Sequence, residues 1–211
     1  MLKDVASLII KHTAPSRRHL TPELVLRLVT PSCPLWTAKE DQVPFKDPFW
    51  AFYWPGGQAT ARYILDNEEI IKNKRVLDIG CGCGAGSIAA AKMQAKRVVG
   101  NDIDLYAVIA TKINSQLNNV AIETSTDNFI GAKCEEFDTI LIGDMFYDEE
   151  FANILFEWLI SLTASGFNRR PRSPRADKEE ASAYHSVSEV SSTRRELHGK
   201  LWVHRDCAVE T

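Results

Sequence analysis

The stretch VLDIGCGCGAG, residues 76–86, decides the fold. An apolar run ends in Asp78, and glycine then occupies every second position from 80 to 86. Residues without a side chain let a ligand approach the backbone closely, as in the glycine-rich turns of nucleotide-binding α/β folds. The stretch therefore predicts a strand, a ligand-binding loop and the start of a helix.

Strands and helices alternate outward from this loop. The apolar patterns predict strands at 74–79, 97–100, 120–123 and 137–142, and helices at 58–71, 87–94, 106–117 and 149–162. Strands separated by helices imply right-handed crossovers and a parallel sheet. We therefore expect an α/β, Rossmann-like fold with flanking helices. Ligands of such sheets bind beyond the carboxyl ends of the strands.

Three classes of ligand suit a glycine-rich loop after a strand. A nucleoside triphosphate is excluded, because the pattern GxxxxGK[ST] requires a lysine after the glycines and none follows here. The dinucleotide pattern GxGxx[G/A] is matched by Gly80, Gly82 and Ala85, with the acid Asp102 after the next strand. An NAD(P)-dependent oxidoreductase therefore stays open as an alternative.

Asp78, two residues before the first glycine, favours the third class, S-adenosylmethionine. A carboxylate would repel the two phosphates of a dinucleotide, whereas it attracts the α-ammonium and sulfonium of S-adenosylmethionine. We predict that the cofactor-binding residues include Asp78, Gly80, Gly82, Gly84 and Asp102. The glycines would admit the methionine part, and Asp102 would accept hydrogen bonds from the ribose hydroxyls.

Composition limits the partners. The 211 residues suffice for one domain with a sizeable core, and 45% of them are hydrophobic. A net charge of −3 provides no basic field for nucleic acid, and no apolar run reaches the about 18 residues of a membrane span. We therefore expect neither nucleic acid nor a membrane as partner. The five cysteines lack the spacing of a zinc site, so we expect no metal.

Several segments together resemble one family of class I, or seven-β-strand, methyltransferases. They are LTPELVLRLVTP (20–31), DPFWAFYWPGGQATARYILDN (47–67), VLDIGCGCG (76–84), NDID (101–104) and GDMFYDE (143–149). In order and spacing they resemble the electron-transfer flavoprotein β-subunit lysine methyltransferases, a mitochondrial group of protein-lysine methyltransferases. The resemblance implies a seven-β-strand fold, S-adenosylmethionine as donor and lysines of the flavoprotein β subunit as substrate. It also implies the mitochondrial matrix; the cytoplasm stays open, because no clear presequence is present. We expect a monomer.

The chemistry of lysine methylation directs attention to GDMFYDEE, residues 143–150. A lysine must lose its proton before its nitrogen can attack, because its ordinary pKa is about 10.4. We predict that Asp144 accepts a hydrogen bond from the incoming amine and orients it, while Tyr147 walls the lysine channel. In the resembled family this D-x-x-Y stretch follows the second motif, which implies the same catalytic role. The alternative is that Asp144 caps the following helix.

Trp54, before Pro55 and two glycines, is a further candidate cofactor residue. An aromatic face attracts a sulfonium through cation–π interaction. The alternative is an aromatic wedge in the core, and the residues alone do not decide between the two. The family resemblance favours the cofactor side.

We divide the chain into three parts. Residues 1–57 form an N-terminal extension with an aromatic and proline-rich segment that covers the cofactor, and 58–162 form the S-adenosylmethionine-binding core. Residues 163–211 are rich in arginine, serine and acids, which is typical of disorder. We expect this tail to be unlike the family and to lack the closing C-terminal strands, so that the sheet ends at 137–142. A catalytically inert truncated isoform is therefore an alternative function.

Overall fold

Helices and strands alternate along most of the chain. The structure, a computed structural model, describes residues 2–39, 43–163, 201–204 and 207–210. Short 3₁₀ turns lie at Pro34–Trp36, Phe49–Ala51 and Glu68–Ile70. In chain order the other elements are α1 (Leu2–His12), β1 (Ala14–Ser16), β2 (Leu26–Leu28), α2 (Pro55–Asp66), β3 (Arg75–Ile79), α3 (Ala85–Lys92), β4 (Arg97–Asn101), α4 (Leu105–Leu117), β5 (Glu123–Ser125), β6 (Thr139–Ile142), α5 (Glu149–Leu162), β7 (Leu201–His204) and β8 (Cys207–Glu210).

Four parallel strands lie side by side in the sheet, in the order β5-β4-β3-β6. The chain runs outward from β3 through β4 to β5 and then returns to the other side of β3. The carboxyl ends of β3, β4 and β6 therefore meet at the point where the strand order reverses, which is where ligands of such sheets bind. The expected α/β, Rossmann-like fold with a parallel sheet and flanking helices is confirmed.

The two faces of the sheet are covered by different helices. Val76 of β3 packs in one apolar cluster with residues of α2 and α3, whereas Leu77 and Ile79 pack in another with residues of α5. Because side chains alternate along a strand, Asp78 lies on the same face as Val76, towards α3. The strand period thus places a carboxylate inside the core, beside the helix that follows the glycine loop.

Helix α5 has the bounds that its sequence predicts. Asp148 caps its start by accepting a hydrogen bond from the Phe151 amide at 2.8 Å. Its buried side chains recur at helical spacing: Leu155, Trp158, Leu159 and Leu162. Helix α2, in contrast, begins at Pro55 rather than at residue 58, because proline suits the first helical position. No helix in the described segments is long and apolar enough to cross a membrane.

The N-terminal extension packs onto the core. Its strands β1 and β2 pair antiparallel, and the β2 segment buries leucines in the same cluster as α2 and α3. Two buried asparagines hold this segment, Asn114 of α4 and Asn118 directly after that helix. Asn118 accepts from the amide of Val25 at 2.9 Å and donates to its carbonyl at 2.7 Å. Asn114 accepts from the amide of Arg27 at 2.7 Å. The division of the chain at residue 57 stays a prediction.

The expectation that no strand follows β6 is wrong for two short segments. Strand β7 pairs antiparallel with β6, with Ile142 opposite Leu201 and Thr139 opposite His204, and β8 pairs with β7. An edge such as that of β6 presents unpaired backbone N–H and C=O groups, and a segment rich in strand-forming residues can pair with them. The predicted disorder of residues 164–200 lies outside the described residues.

Candidate active site

The glycine loop is packed so tightly that two of its positions require glycine. Gly80 and Gly84 have φ angles of +65° and +81°, which side chains rarely adopt. A Cβ at position 80 would collide with Sδ of Met145, and one at position 84 would lie 2.7 Å from Oγ1 of Thr111. The loop is therefore held between the β6–α5 connection and α4. A cofactor-binding role for these glycines stays a prediction.

Asp78 is buried beneath the loop and holds the start of α3. One of its carboxylate oxygens accepts hydrogen bonds from the amide of Ser87 at 2.7 Å and from its hydroxyl at 2.6 Å. Burial raises the pKa of Asp78 to about 6, and the nearby Asp102 carboxylate adds to that rise, while the bonds from Ser87 oppose it. At neutral pH Asp78 is therefore a buried negative charge, and none of the groups that shift its pKa is positively charged.

Replacing Asp78 with asparagine is expected to stabilise the protein at neutral pH. A carboxyl whose pKa is higher in the folded than in the unfolded state stabilises folding below its unfolded pKa, and this contribution is lost as the pH rises through about 6. The free energy of unfolding of Asp78→Asn should therefore be compared with that of the native chain at both pH values. The difference between the two proteins should favour the variant by about 1–3 kcal/mol more at pH 7.5 than at pH 4.5. Urea unfolding at both pH values measures this; a difference that does not change with pH would contradict it.

Asp102 lies directly after β4 and faces the glycine loop. One carboxylate oxygen accepts from the amide of Gly82 at 3.1 Å, and the other accepts from the amide of Asp104 at 3.0 Å. Burial raises its pKa. The next residue, Ile103, is apolar and 78% exposed. The carboxylate can accept a hydrogen bond from a sugar hydroxyl, and the exposed side chain of Ile103 can pack against the flat ring attached to that sugar. The ribose contact of Asp102 stays a prediction.

Asp144 follows β6 and is half-buried. Its Oδ2 accepts a hydrogen bond from the amide of Gly57, in the first turn of α2, at 2.7 Å. Within the described residues, no hydrogen bond occupies Oδ1 of this carboxylate. The alternative in which Asp144 caps α5 is wrong, because Asp148 makes that cap. The structure thus brings the YWPGG and GDMFYDE motifs, distant in sequence, into direct contact.

The two predicted aromatic residues are both exposed. Trp54 is 46% exposed, precedes the first residue of α2 and donates its indole N–H to the carbonyl of Phe49 at 3.0 Å. The alternative of a core wedge therefore does not describe Trp54; its neighbour Trp50 fills that position and is 3% exposed. Tyr147 is 78% exposed and stacks on Phe151, with ring centroids 5.9 Å apart. Their roles at the site stay predictions.

Sequence reasoning did not identify three residues that shape the site. The first is Gly57, the partner of Asp144. The second is Asn114, whose side-chain amide donates to the carbonyl of Cys83 in the glycine loop at 2.8 Å and so ties the loop to the N-terminal extension. The third is Trp50, whose Cα lies 3.8 Å from where a Cβ of Gly82 would stand. Of these three, Asn114 has a signal in the sequence: together with Asn118, which directly follows α4, it forms a pair of asparagines four residues apart.

The loop cysteines act as small core side chains. Cys81 and Cys83 are both buried, and burial raises the pKa of Cys83 to about 12 and that of Cys81 well above its ordinary value. The Cys81 thiol lies 3.3 Å from the hydroxyl of Thr111. In the described part of the chain, no group of three or more His, Cys, Asp or Glu side chains is placed to hold a metal ion.

Comparison with known sequences consistently finds methyltransferases. Residues 51–170 match the family described as ribosomal protein L11 methyltransferase (PrmA). The chain is 52% identical over 162 residues to the electron transfer flavoprotein beta subunit lysine methyltransferase of Danio rerio, covering 76% of this chain and 63% of that protein. It is 44% identical over 173 residues to the Caenorhabditis elegans homolog of that enzyme, covering 75% of this chain and 71% of the homolog.

Solved structures resemble this one in part. The ribosomal protein L11 methylase of Lactobacillus delbrueckii subsp. bulgaricus superposes with a TM-score of 0.45 and 24% identity, covering 72% of this chain and 74% of that one. The chain spans 63% of the length of the Danio rerio relative.

Proposed function

Because this chain belongs to the family of electron transfer flavoprotein β-subunit lysine methyltransferases, we propose that it transfers methyl groups from S-adenosylmethionine to lysines of that flavoprotein's β subunit. The relatives bear this substrate in their names, and the match over residues 51–170 supports the methyltransferase class. The observation that carries the proposal is a pair of carboxylates, Asp78 and Asp102, at one glycine loop. Both have raised pKa values, so the site favours a cationic ligand.

The residues around the loop suit S-adenosylmethionine better than a dinucleotide. The buried carboxylate of Asp78 and the partly buried one of Asp102 would repel a pyrophosphate, and no lysine follows the glycines to offset that repulsion. A ligand with an ammonium and a sulfonium is attracted instead. When bound, S-adenosylmethionine supplies a methyl group that its sulfonium makes electrophilic. Asp102 accepts from the ribose hydroxyls, and the loop glycines leave the backbone open to the methionine part.

Asp144 binds and orients the amine of the substrate lysine. Its Oδ2 is held by the amide of Gly57, which leaves Oδ1 to accept an N–H of the neutral amine and so to direct the nitrogen lone pair. The negative charge also attracts the lysine before its proton is lost to solvent. Tyr147, which is exposed and lies three residues further along the chain, lines the approach of the aliphatic lysine chain in this proposal.

The family resemblance supports a location for the protein, whereas its net charge and the lengths of its apolar runs bear on its partners. We propose the mitochondrial matrix as its location and a monomer as its state, with neither nucleic acid nor membrane as a partner. Fractionation of cells that express the full-length protein tests the first, and sedimentation of the purified chain tests the second.

Calorimetric titration of the purified chain tests the cofactor. We expect S-adenosylhomocysteine to bind with a Kd in the micromolar range or tighter, about −8 kcal/mol, and NADH to give no heat of binding. Mass spectrometry of the recombinant flavoprotein β subunit, incubated with the chain and S-adenosylmethionine, then tests for added methyl groups on lysine. Binding of NADH alone would overturn the class of enzyme. Binding of S-adenosylhomocysteine without methyl transfer would identify the chain as an inert binding form.

A further inference from the structure

The first turn of α2 meets the end of β6 at very close range. The amide of Gly57 and Oδ2 of Asp144 are 2.7 Å apart, although the residues are separated by 87 positions in the chain. The two backbones are also near each other, because a Cβ on Gly143 would lie 3.4 Å from the Cα of Gly57. A side chain at position 143 would therefore stand against the start of α2.

The Gly57 amide is a donor that the helix itself cannot use. Backbone N–H groups in the first turn of an α-helix have no partner within the helix, and Pro55 at the first position has no N–H at all. The positive end of the helix dipole adds to the attraction of a carboxylate at this place. Asp144 therefore satisfies a backbone group that would otherwise need water.

The start of α2 is itself fixed by its surroundings. The side chain of Gln58 accepts from the amide of Leu20 at 3.0 Å and donates to the carbonyl of Tyr53 at 2.8 Å. Arg62, one turn later, pairs with Glu23 at 2.8 Å. These contacts tie the start of α2, and with it the Gly57 amide, to the N-terminal extension.

We propose that Gly57 is a positioning residue for methyl transfer: its amide holds one oxygen of Asp144 so that the other is presented to the substrate amine in one orientation. A carboxylate free to rotate would offer the amine many orientations, and alignment of the reacting atoms is a large part of the rate in such a transfer. The inference rests on the proposed function, because it needs Asp144 to receive the lysine.

Two variants of Gly57 separate the amide from the side chain. Gly57→Pro removes the N–H and is tolerated in a first helical turn, while the preceding Gly56 has no Cβ to clash with the proline ring. Gly57→Ala keeps the N–H, and its Cβ would make ordinary contacts, 3.7 Å from Cε2 of Tyr53 and 3.9 Å from Oδ2 of Asp144. The alanine variant is therefore the matched control.

We expect Gly57→Pro to lower kcat about tenfold or more, the loss typical of a hydrogen bond to a charged group. The Kd for S-adenosylhomocysteine should stay within about threefold, and Gly57→Ala should keep its kcat within about threefold, because neither change removes a cofactor contact. In the Asp144→Ala background the proline should change the residual rate less than about twofold, since its effect acts through Asp144. An equal loss in both backgrounds, or equal kcat for the proline and alanine variants, would overturn the inference.

Hydrogen exchange of the Gly57 amide tests the same contact without the proline. We expect exchange at least about tenfold faster in Asp144→Ala than in the native chain, and unchanged exchange in Asp148→Ala, which alters only the cap of α5. Equal exchange in the native chain and Asp144→Ala would overturn the inference even if Gly57→Pro fails to fold. A native chain that methylates no lysine refutes the proposed function instead, so the two failures are distinguishable.

Discussion

Replacing Asp144 with alanine is expected to lower methyl transfer to the flavoprotein β subunit by about 100-fold or more, because an amine without its acceptor loses the alignment that the transfer needs. The affinity for S-adenosylhomocysteine should stay within about threefold, since the described contacts of Asp144 reach Gly57 and not the glycine loop. Single-turnover rates with excess enzyme, together with calorimetric titration, separate the two effects.

Asp148→Ala is the matched control for this prediction. It removes a carboxylate four residues away in the same segment, one that caps α5. We expect it to lower the free energy of unfolding by about 1 kcal/mol and to leave the rate of methyl transfer within about threefold. If Asp144→Ala loses cofactor binding and methyl transfer together, Asp144 supports the cofactor site rather than the substrate. If it loses neither, the assignment of Asp144 is wrong.

Asp102→Ala is expected to weaken the binding of S-adenosylhomocysteine by about 100-fold. Hydrogen bonds from ribose hydroxyls to a carboxylate contribute about 1.5–3 kcal/mol each, and the variant loses all of them. It also frees the amide of Gly82, which Asp102 holds at 3.1 Å, so the loop loses a restraint in the same place. Titration calorimetry at pH 7.5 measures the change.

Asp104→Ala separates the ligand contact from the local fold. Asp104 lies in the same turn and caps α4 by accepting from the amide of Tyr106 at 2.8 Å. We expect it to reduce stability and to change the affinity for S-adenosylhomocysteine by less than about threefold, since its carboxylate is committed to the helix. Unchanged affinity in Asp102→Ala, or an equal loss in both variants, would remove Asp102 from the cofactor site.

Acidic residues at strand ends were identified from the sequence, but their surroundings were not. The apolar runs in the sequence indicate where Asp78, Asp102 and Asp144 lie. The order of the parallel strands brings these residues to the same end of the sheet, where the carboxyl ends of the strands meet. What each carboxylate contacts depends on segments far away in the chain. No local pattern indicates that Asp78 would be buried against Ser87, or that Asp144 would reach the start of α2.

The tail shows the limit of composition as a guide. A low content of apolar residues after position 163 predicts that the tail adds no strand to the sheet, yet β7 and β8 extend the sheet beyond β6. The pairing of a strand is decided by whether an unpaired edge lies beside it. That edge belongs to β6, whose position follows from the topology of the sheet and not from the tail.

The sequence by itself determined the alternation of strands and helices, the glycine loop, the three acids and the family likeness. These are local properties: apolar period, residues without side chains and residue types at strand ends depend on neighbours within a few positions. Only the tertiary structure decided which groups meet. The hydrogen bond between Gly57 and Asp144 forms because packing brings a backbone amide to 2.7 Å from a side-chain oxygen of a distant segment, and no pattern along the chain encodes that distance.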